Sequence, residues 1–134
     1  MCIRDSFKQV NDRHGHAAGD KVLVRLCELM RNHTRSSDQI FRFGGEEFAI
    51  IATGAGLGAA SRLAEGLRAA VAQEPLMEGH PITVSIGVAG MDKSAKPAEW
   101  LMRADKMLYA AKQAGRNTVR VDNPETPGEN TERV

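Results

Sequence analysis

Two acidic residues stand side by side in the run Arg42-Phe43-Gly44-Gly45-Glu46-Glu47-Phe48, directly behind a pair of glycines. Adjacent carboxylates repel each other, so a nearby cation favours the doubly ionised state. Hard oxygen donors on a turn suit Mg²⁺, which keeps several waters and binds through one or two carboxylates plus substrate phosphates. The glycines let a bulky ligand approach the backbone closely. A solvated Gly-Gly turn flanked by acids accounts for the same residues, and the run alone leaves both readings open.

A second polar stretch extends from Phe7 to Asp20. Asn11 offers donor and acceptor groups and Asp20 can accept two N–H bonds, so together they could read the edge of a guanine. Asp20 also fits the N-cap of the helix that follows it, and that assignment needs no ligand. His14 and His16 do not form a metal pair, because residues two apart do not share a helix face. Near the other end, Lys112 and Arg116 place two cations four residues apart at a helix C-terminus. They could hold phosphate oxygens, or simply offset the helix dipole.

These residues must be positioned by regular elements. Phe7 to Arg13 can form a short helix that stops at Gly15. Val22, Leu26, Leu29 and Met30 repeat at i, i+4, i+7 and i+8, which predicts a helix from Asp20 to about Thr34. Ile40 to Phe43 and Phe48 to Ala52 are short strands around the two glycines, a hairpin pattern. Ala60, Leu63, Ala64, Leu67, Ala70 and Val71 share one face of an amphipathic helix that ends before Pro75. Ile82, Val84, Ile86 and Val88 alternate with Thr83, Ser85 and Gly87, the period of a half-buried strand. Trp100, Leu101, Ala104, Leu108 and Ala111 give a further long helix stopped by Gly115, and Thr118 to Val121 a last strand. Helices interleaved with strands predict an α/β fold, a ferredoxin-like sandwich whose mixed, largely antiparallel sheet is flanked by helices. Only six residues precede Phe7, so the first strand of such a sheet is expected to be missing.

Gly54-Ala55-Gly56-Leu57-Gly58-Ala59 matches a loose dinucleotide-binding fingerprint. That fingerprint also needs a second parallel strand ending in an acid about 20 residues on, and the stretch after Val71 runs instead through Gln73, Pro75 and Gly79. No G-x-x-x-x-G-K-[ST] phosphate loop occurs. With 134 residues and 42% hydrophobic content, the chain is sized for one domain. No apolar run approaches the roughly 18 residues of a membrane span. The first residues do not read as a secretory signal, and Cys2 and Cys27 supply neither a disulfide framework nor a metal spacing. A cytoplasmic location is therefore expected. The formal charge is +1, but residues 122–134 hold Asp122, Glu125, Glu129 and Glu132 against Arg133. This segment, net −3, is expected to be a disordered acidic tail. The body, residues 1–121, carries +4: modest for binding nucleic acid, and compatible with a small phosphorylated ligand.

Taken jointly, the motifs resemble the GGDEF family of diguanylate cyclases, in its GGEEF form. The resemblance rests on Phe7-Lys8-Gln9-Val10-Asn11-Asp12, Gly15-His16, Gly19-Asp20, Arg42 to Phe48, Val84-Ser85-Ile86-Gly87-Val88-Ala89, Ala104-Asp105, Leu108-Tyr109, Ala111-Lys112 and Gly115-Arg116-Asn117. In order and spacing these cover about residues 5–121. The resemblance implies condensation of two GTP into cyclic di-GMP with release of pyrophosphate, by a homodimer of facing domains with Mg²⁺ or Mn²⁺. It implies that Glu46 is metal ligand and base with Glu47 beside it, that Asn11 and Asp20 recognise guanine, and that Lys8, Lys112 and Arg116 meet the phosphates. The backbone N–H groups of Ser6 and Phe7 would lie against those phosphates. Arg35 and Asp38 match the family's R-x-x-D site for inhibition by cyclic di-GMP. An upstream sensory or receiver domain is implied as well.

Three departures stand out. The family's D-x-D ahead of the Phe-Lys pair is reduced to Asp5, with Ile3 at the first, metal-binding position. The strand leading into it is expected to be absent, which marks a domain truncated at its N-terminus with Met1 to Arg4 foreign to the family. Gly66 stands where some members carry an Arg that completes product binding. Loss of the first Asp is expected to reduce activity severely, and a GTP or cyclic di-GMP sensor module is the alternative function.

Overall fold

The computed structural model describes residues 2–4, 12–13, 15–44, 47–74, 82–91 and 96–122. The spacing of Val22, Leu26, Leu29 and Met30 produces one buried stripe along α1 (His16–His33). Fully burying an apolar side chain of this size stabilises by roughly 1.5–3 kcal/mol. The helix starts earlier than its sequence pattern predicts: Gly15 is the N-cap and the Gly19 N–H donates to the Gly15 carbonyl at 3.2 Å. Ala17 and Ala18 are good helix formers and extend the helix backwards. Asp20 therefore lies inside α1, exposed, and is not its N-cap. Of the short helix expected over Phe7 to Arg13, only Asp12 and Arg13 are described, and both are helical.

The hairpin forms as expected. β2 (Gln39–Gly44) and β3 (Glu47–Ile51) are antiparallel, with Arg42 opposite Phe48 and Gly44 opposite Glu47. Next come α2 (Leu57–Gln73), β4 (Ser85–Ala89), α3 (Pro97–Gln113) and β5 (Val119–Asp122). A first strand is also present, contrary to the sequence expectation. Residues Cys2–Arg4 form β1, which fills the centre of a five-stranded sheet ordered β2-β3-β1-β4-β5. Ile3 is opposite Phe48 on one side and Ile86 on the other. Three residues suffice because both neighbours offer them a ladder. All pairings are antiparallel except β4 with β5, which are joined in parallel through α3. The sheet is thus mixed and largely antiparallel, as expected.

The two faces of the sheet carry separate cores. Phe48, Ile50, Val84, Ile86 and Val88 pack with the stripes of α1 and α2, including Ala64, Leu67 and Val71. On the other face α3 lies against β4, where Ala89, Ala104 and Leu108 cluster with Trp100. The alternation in β4 predicted a half-buried strand, whereas every residue of Ser85–Ala89 is buried because α3 covers the second face. A Cβ at Gly87 would sit 2.2 Å from the Ala104 carbonyl oxygen and 2.3 Å from the Leu108 nitrogen. Only glycine permits this approach. Trp100 Nε1 and Arg103 Nη2 donate to the Ala89 and Gly90 carbonyls at 2.8 and 2.6 Å, fixing α3 to the end of β4. Asp122, placed in the tail by composition, belongs to β5: it is opposite Ala89 and 3.6 Å from Arg103. Residues 123–134 lie outside the described residues. The glycine-rich run at 54–58 leads into α2, but β3 and β4 are separated by β1, so no adjacent parallel pair flanks it.

Candidate functional site

Strand directions decide which residues can meet. β1 is antiparallel to both β3 and β4, so β3, β4 and β5 point the same way. The end of β1, the hairpin tip between β2 and β3, and the start of β5 therefore share one end of the sheet. α3 leaves from the far end of β4 and must return to the start of β5. Its C-terminus, with Lys112 and Arg116 just beyond, comes back to the tip end. α1 must deliver the chain to the start of β2 at the far end, so its early turns, with Asp20, lie near the tip end as well. With strands about 4.8 Å apart, β3 to β5 spans about 14 Å, a distance an extended nucleotide can bridge.

At the hairpin, Gly44 and Glu47 are paired across a two-residue connection of Gly45 and Glu46. Glu46 lies outside the described residues, as do Ser6, Phe7, Lys8 and Asn11. Glu47 is half-buried and lines a cavity of about 350 Å³ with Phe43, Phe48, Leu101, Met102 and Asp105. A larger cavity, about 920 Å³, opens at the opposite end between Thr53–Leu57 and Gly90-Met91. Sequence reasoning did not single out Asp105 as a site residue. A carboxylate midway along α3, lining one cavity with Glu47, emerges only once helix and sheet are packed.

The C-terminus of α3 closes in a tight hydrogen-bonded turn. The Ala114, Gly115 and Arg116 N–H groups donate to the Ala110, Lys112 and Ala111 carbonyls at 2.9, 3.2 and 3.1 Å. Gly115, Arg116 and Asn117 all have positive φ, at 108°, 67° and 46°. Lys112 is half-buried and Arg116 exposed, and the cationic pair stays on one turn. From α2, Arg68 Nη1 donates to Asn117 Oδ1 at 2.9 Å, while its Nε meets both Glu65 carboxylate oxygens at 3.0 Å. The Arg68 hydrogen bond holds the Glu65 carboxyl below its usual range, and Glu65 in turn raises the Arg68 guanidinium. This contact joins residues 49 apart and has no local sequence signal.

Arg35 and Asp38 sit elsewhere. They close the turn between α1 and β2, at the far end from the hairpin tip and separated from it by the length of β2, about 20 Å. Asp38 is 3% exposed. Its Oδ2 accepts from the Arg35 backbone N–H at 2.8 Å and its Oδ1 is 3.4 Å from Arg35 Nη2. Arg35 Nη2 also donates to the Thr53 carbonyl at 2.7 Å, tying this turn to the end of β3.

For a divalent cation, the sequence offers two adjacent carboxylates at the tip, Glu46 in the connection and Glu47 opening β3, hard oxygen ligands that match Mg²⁺. Ile3 in β1 contributes no side-chain donor. Among the described residues no group of three His, Cys, Asp or Glu side chains gathers elsewhere as a metal site. No helix among them is long and apolar enough to cross a membrane. Cys27 is exposed on α1, and its partial burial pushes the thiol pKa up.

Residues 1–118 match the family model described as diguanylate cyclase, GGDEF domain. Diguanylate cyclase A of Treponema denticola is 39% identical over 92% of this chain and 34% of its own length. Diguanylate cyclase DgcM of Escherichia coli is 41% identical over 86% of this chain and 28% of its own. This chain thus spans about a third of the length of such relatives. Among solved structures, the active GGEEF domain of a diguanylate cyclase from Vibrio cholerae superposes with a TM-score of 0.84 at 34% identity, covering 90% of this chain and 80% of that one. A GGDEF domain from Caulobacter crescentus, in complex with c-di-GMP, gives a TM-score of 0.84 at 31% identity over 90% and 74%. With its signature on the connection between β2 and β3 and its fold shared with these domains, the chain belongs to the GGDEF family of diguanylate cyclases.

Proposed function

We propose that the domain condenses two GTP into cyclic di-GMP, two copies facing each other with one GTP on each. The observation that carries this reading is topological: the strand directions and element order put the early turns of α1 with Asp20, the β2–β3 connection with Glu47 at the start of β3, and the Lys112–Asn117 turn at one end of the sheet. Asp20, exposed on the early turns of α1, accepts from the N–H groups of the guanine edge, with Asn11 as its companion. Lys112, Arg116 and Lys8 hold phosphate oxygens, aided by the backbone N–H groups of Ser6 and Phe7. A ribose hydroxyl of one GTP bonds to the α-phosphorus of the other, the bond to the β-phosphate side breaks, and pyrophosphate leaves. Repeating the step in the opposite sense closes the ring. Glu46 accepts the hydroxyl proton. Glu46 and Glu47 would hold Mg²⁺ or Mn²⁺, which supplies positive charge against the phosphates when bound. The cations of the α3 turn offset charge that builds on the leaving pyrophosphate.

Ile3 stands in β1, at the position where the resemblance implies a metal-binding carboxylate. Ile3→Asp recreates Asp-x-Asp with Asp5, within a strand the structure already forms. With GTP and Mg²⁺, this variant is expected to turn over faster than the native chain and to release two pyrophosphates per cyclic di-GMP. No product from Ile3→Asp, in a protein that still folds, overturns the catalytic reading. The same position favours a second reading, a module that binds GTP or cyclic di-GMP without turnover. Calorimetry with each nucleotide separates the two: binding by both chains with no product from either is the sensor's result. An upstream regulatory domain and a cytoplasmic location complete the proposal.

A further inference from the structure

We propose that Arg68 is a positioning residue for the phosphate groups of the substrate, acting through Asn117 on the turn that carries Lys112 and Arg116. The inference rests on the assignment of that turn to phosphate binding. Three consecutive residues, Gly115, Arg116 and Asn117, hold positive φ. Glycine does so freely, asparagine with some tolerance and arginine at a clear steric cost. Such strain persists only where the surroundings over-determine it. The described contacts supply that determination. The Arg116 N–H is held by the Ala111 carbonyl at 3.1 Å. The Asn117 side chain is held by Arg68 Nη1 at 2.9 Å. The next carbonyl, Thr118, accepts from the Ile86 N–H of β4 at 3.0 Å.

Arg68 is well suited to this task. Its Nε is engaged by both carboxylate oxygens of Glu65, one turn earlier on α2, which fixes the guanidinium plane and directs Nη1 to Asn117. The side chain is only 20% exposed. Its charge is matched by Glu65, so Arg68 shapes the turn instead of meeting the ligand itself. Releasing Asn117 lets Asn117 and Arg116 relax towards negative φ, which re-aims the Arg116 side chain and loosens the last turn of α3 beneath Lys112. The phosphates lose a preorganised partner, while Asp20 on α1 is untouched.

The test compares GTP and guanosine affinities by NMR titration for the native chain, Arg68→Ala, and Arg68→Ala combined with Asn117→Gly. Arg68→Ala is expected to weaken GTP by about tenfold and guanosine by less than about twofold. Adding Asn117→Gly is expected to restore GTP binding to within about threefold of native, since glycine adopts the left-handed conformation without help. Unchanged GTP affinity in Arg68→Ala overturns the inference alone. Equal weakening of both ligands, or no recovery with Asn117→Gly, also overturns it, because either result assigns Arg68 to general stability or to direct contact. A native chain that binds no GTP removes the proposed function and this inference together.

Discussion

Gly87→Ala places one methyl group where α3 meets β4. The new Cβ would lie 2.2 Å from the Ala104 carbonyl oxygen, 2.3 Å from the Leu108 nitrogen and 2.9 Å from the Leu108 Cα. All three are backbone atoms, so no rotamer change relieves the clash. Ordinary contact begins near 3.4 Å, so α3 must retreat by about 1 Å, a gap that forfeits a quarter to a half of the dispersion energy of each contact it opens. Trp100 and Arg103, which donate to the Ala89 and Gly90 carbonyls, would be pulled from their acceptors. Overpacking of this kind costs about 3 kcal/mol or more. For a domain of this size that lowers Tm by about 10 °C or more. The displacement also carries Lys112 and Arg116 with the helix, so GTP affinity is expected to fall in the fraction that stays folded. Val88→Ala, whose side chain belongs to the opposite core, serves as control: it destabilises through a cavity and leaves the α3 turn in place. Thermal melts followed by circular dichroism, with GTP titration at a temperature where both variants are folded, read both effects. A Gly87→Ala variant melting within about 2 °C of the native chain refutes the argument.

Asp38→Ala leaves the Arg35 N–H without its carboxylate partner and is expected to cost about 1–3 kcal/mol in urea denaturation; an unchanged midpoint would show that the turn does not depend on this contact. Glu65 has its folded pKa held below the ordinary 4.5 by Arg68, so its contribution is present above pH 4.5 and is lost as pH falls through the folded value. The side chain is 56% exposed, which limits that contribution to less than about 1 kcal/mol. Glu65→Gln should therefore narrow the stability difference between neutral and acid pH slightly, and a steeper acid loss in the variant would contradict the assignment. Cys27, whose thiol is pushed up by burial, should alkylate more slowly with iodoacetamide at neutral pH than free cysteine; faster modification would mark an activated thiol.

The helical stripes of α1 and α2 and the β2–β3 hairpin could be read from the chain because their signals are local: a repeat near 3.6 residues, or two glycines between strand-forming runs. β1 could not. Cys2–Arg4 has too few residues to show a period, and it becomes a strand only because β3 and β4 present ladders on both sides. Asp20 fits a cap by residue type, whereas Ala17 and Ala18 carry the helix back past Gly19 to an N-cap at Gly15. In β4, Gly87 read as the polar half of an alternation, and its actual role is to admit the α3 backbone. The cations of the α3 turn were visible as residue types, but the contact from Arg68 to Asn117 spans 49 positions and exists only after α2 and β5 are packed. Arg35 and Asp38 were recognisable as a pattern, and packing adds that Asp38 is buried and already engaged by the Arg35 backbone.

The central claim is that one end of the sheet binds GTP while the Arg35–Asp38 turn lies at the other. Backbone amide shifts recorded by NMR during a GTP titration with Mg²⁺ test it most directly. The account predicts that shifts concentrate on Asp20, Glu47, Lys112 and Gly115–Asn117, with Arg35–Asp38 and Thr53 unmoved. Shifts confined to the Thr53–Leu57 and Gly90-Met91 end, or none at saturating nucleotide, would contradict it.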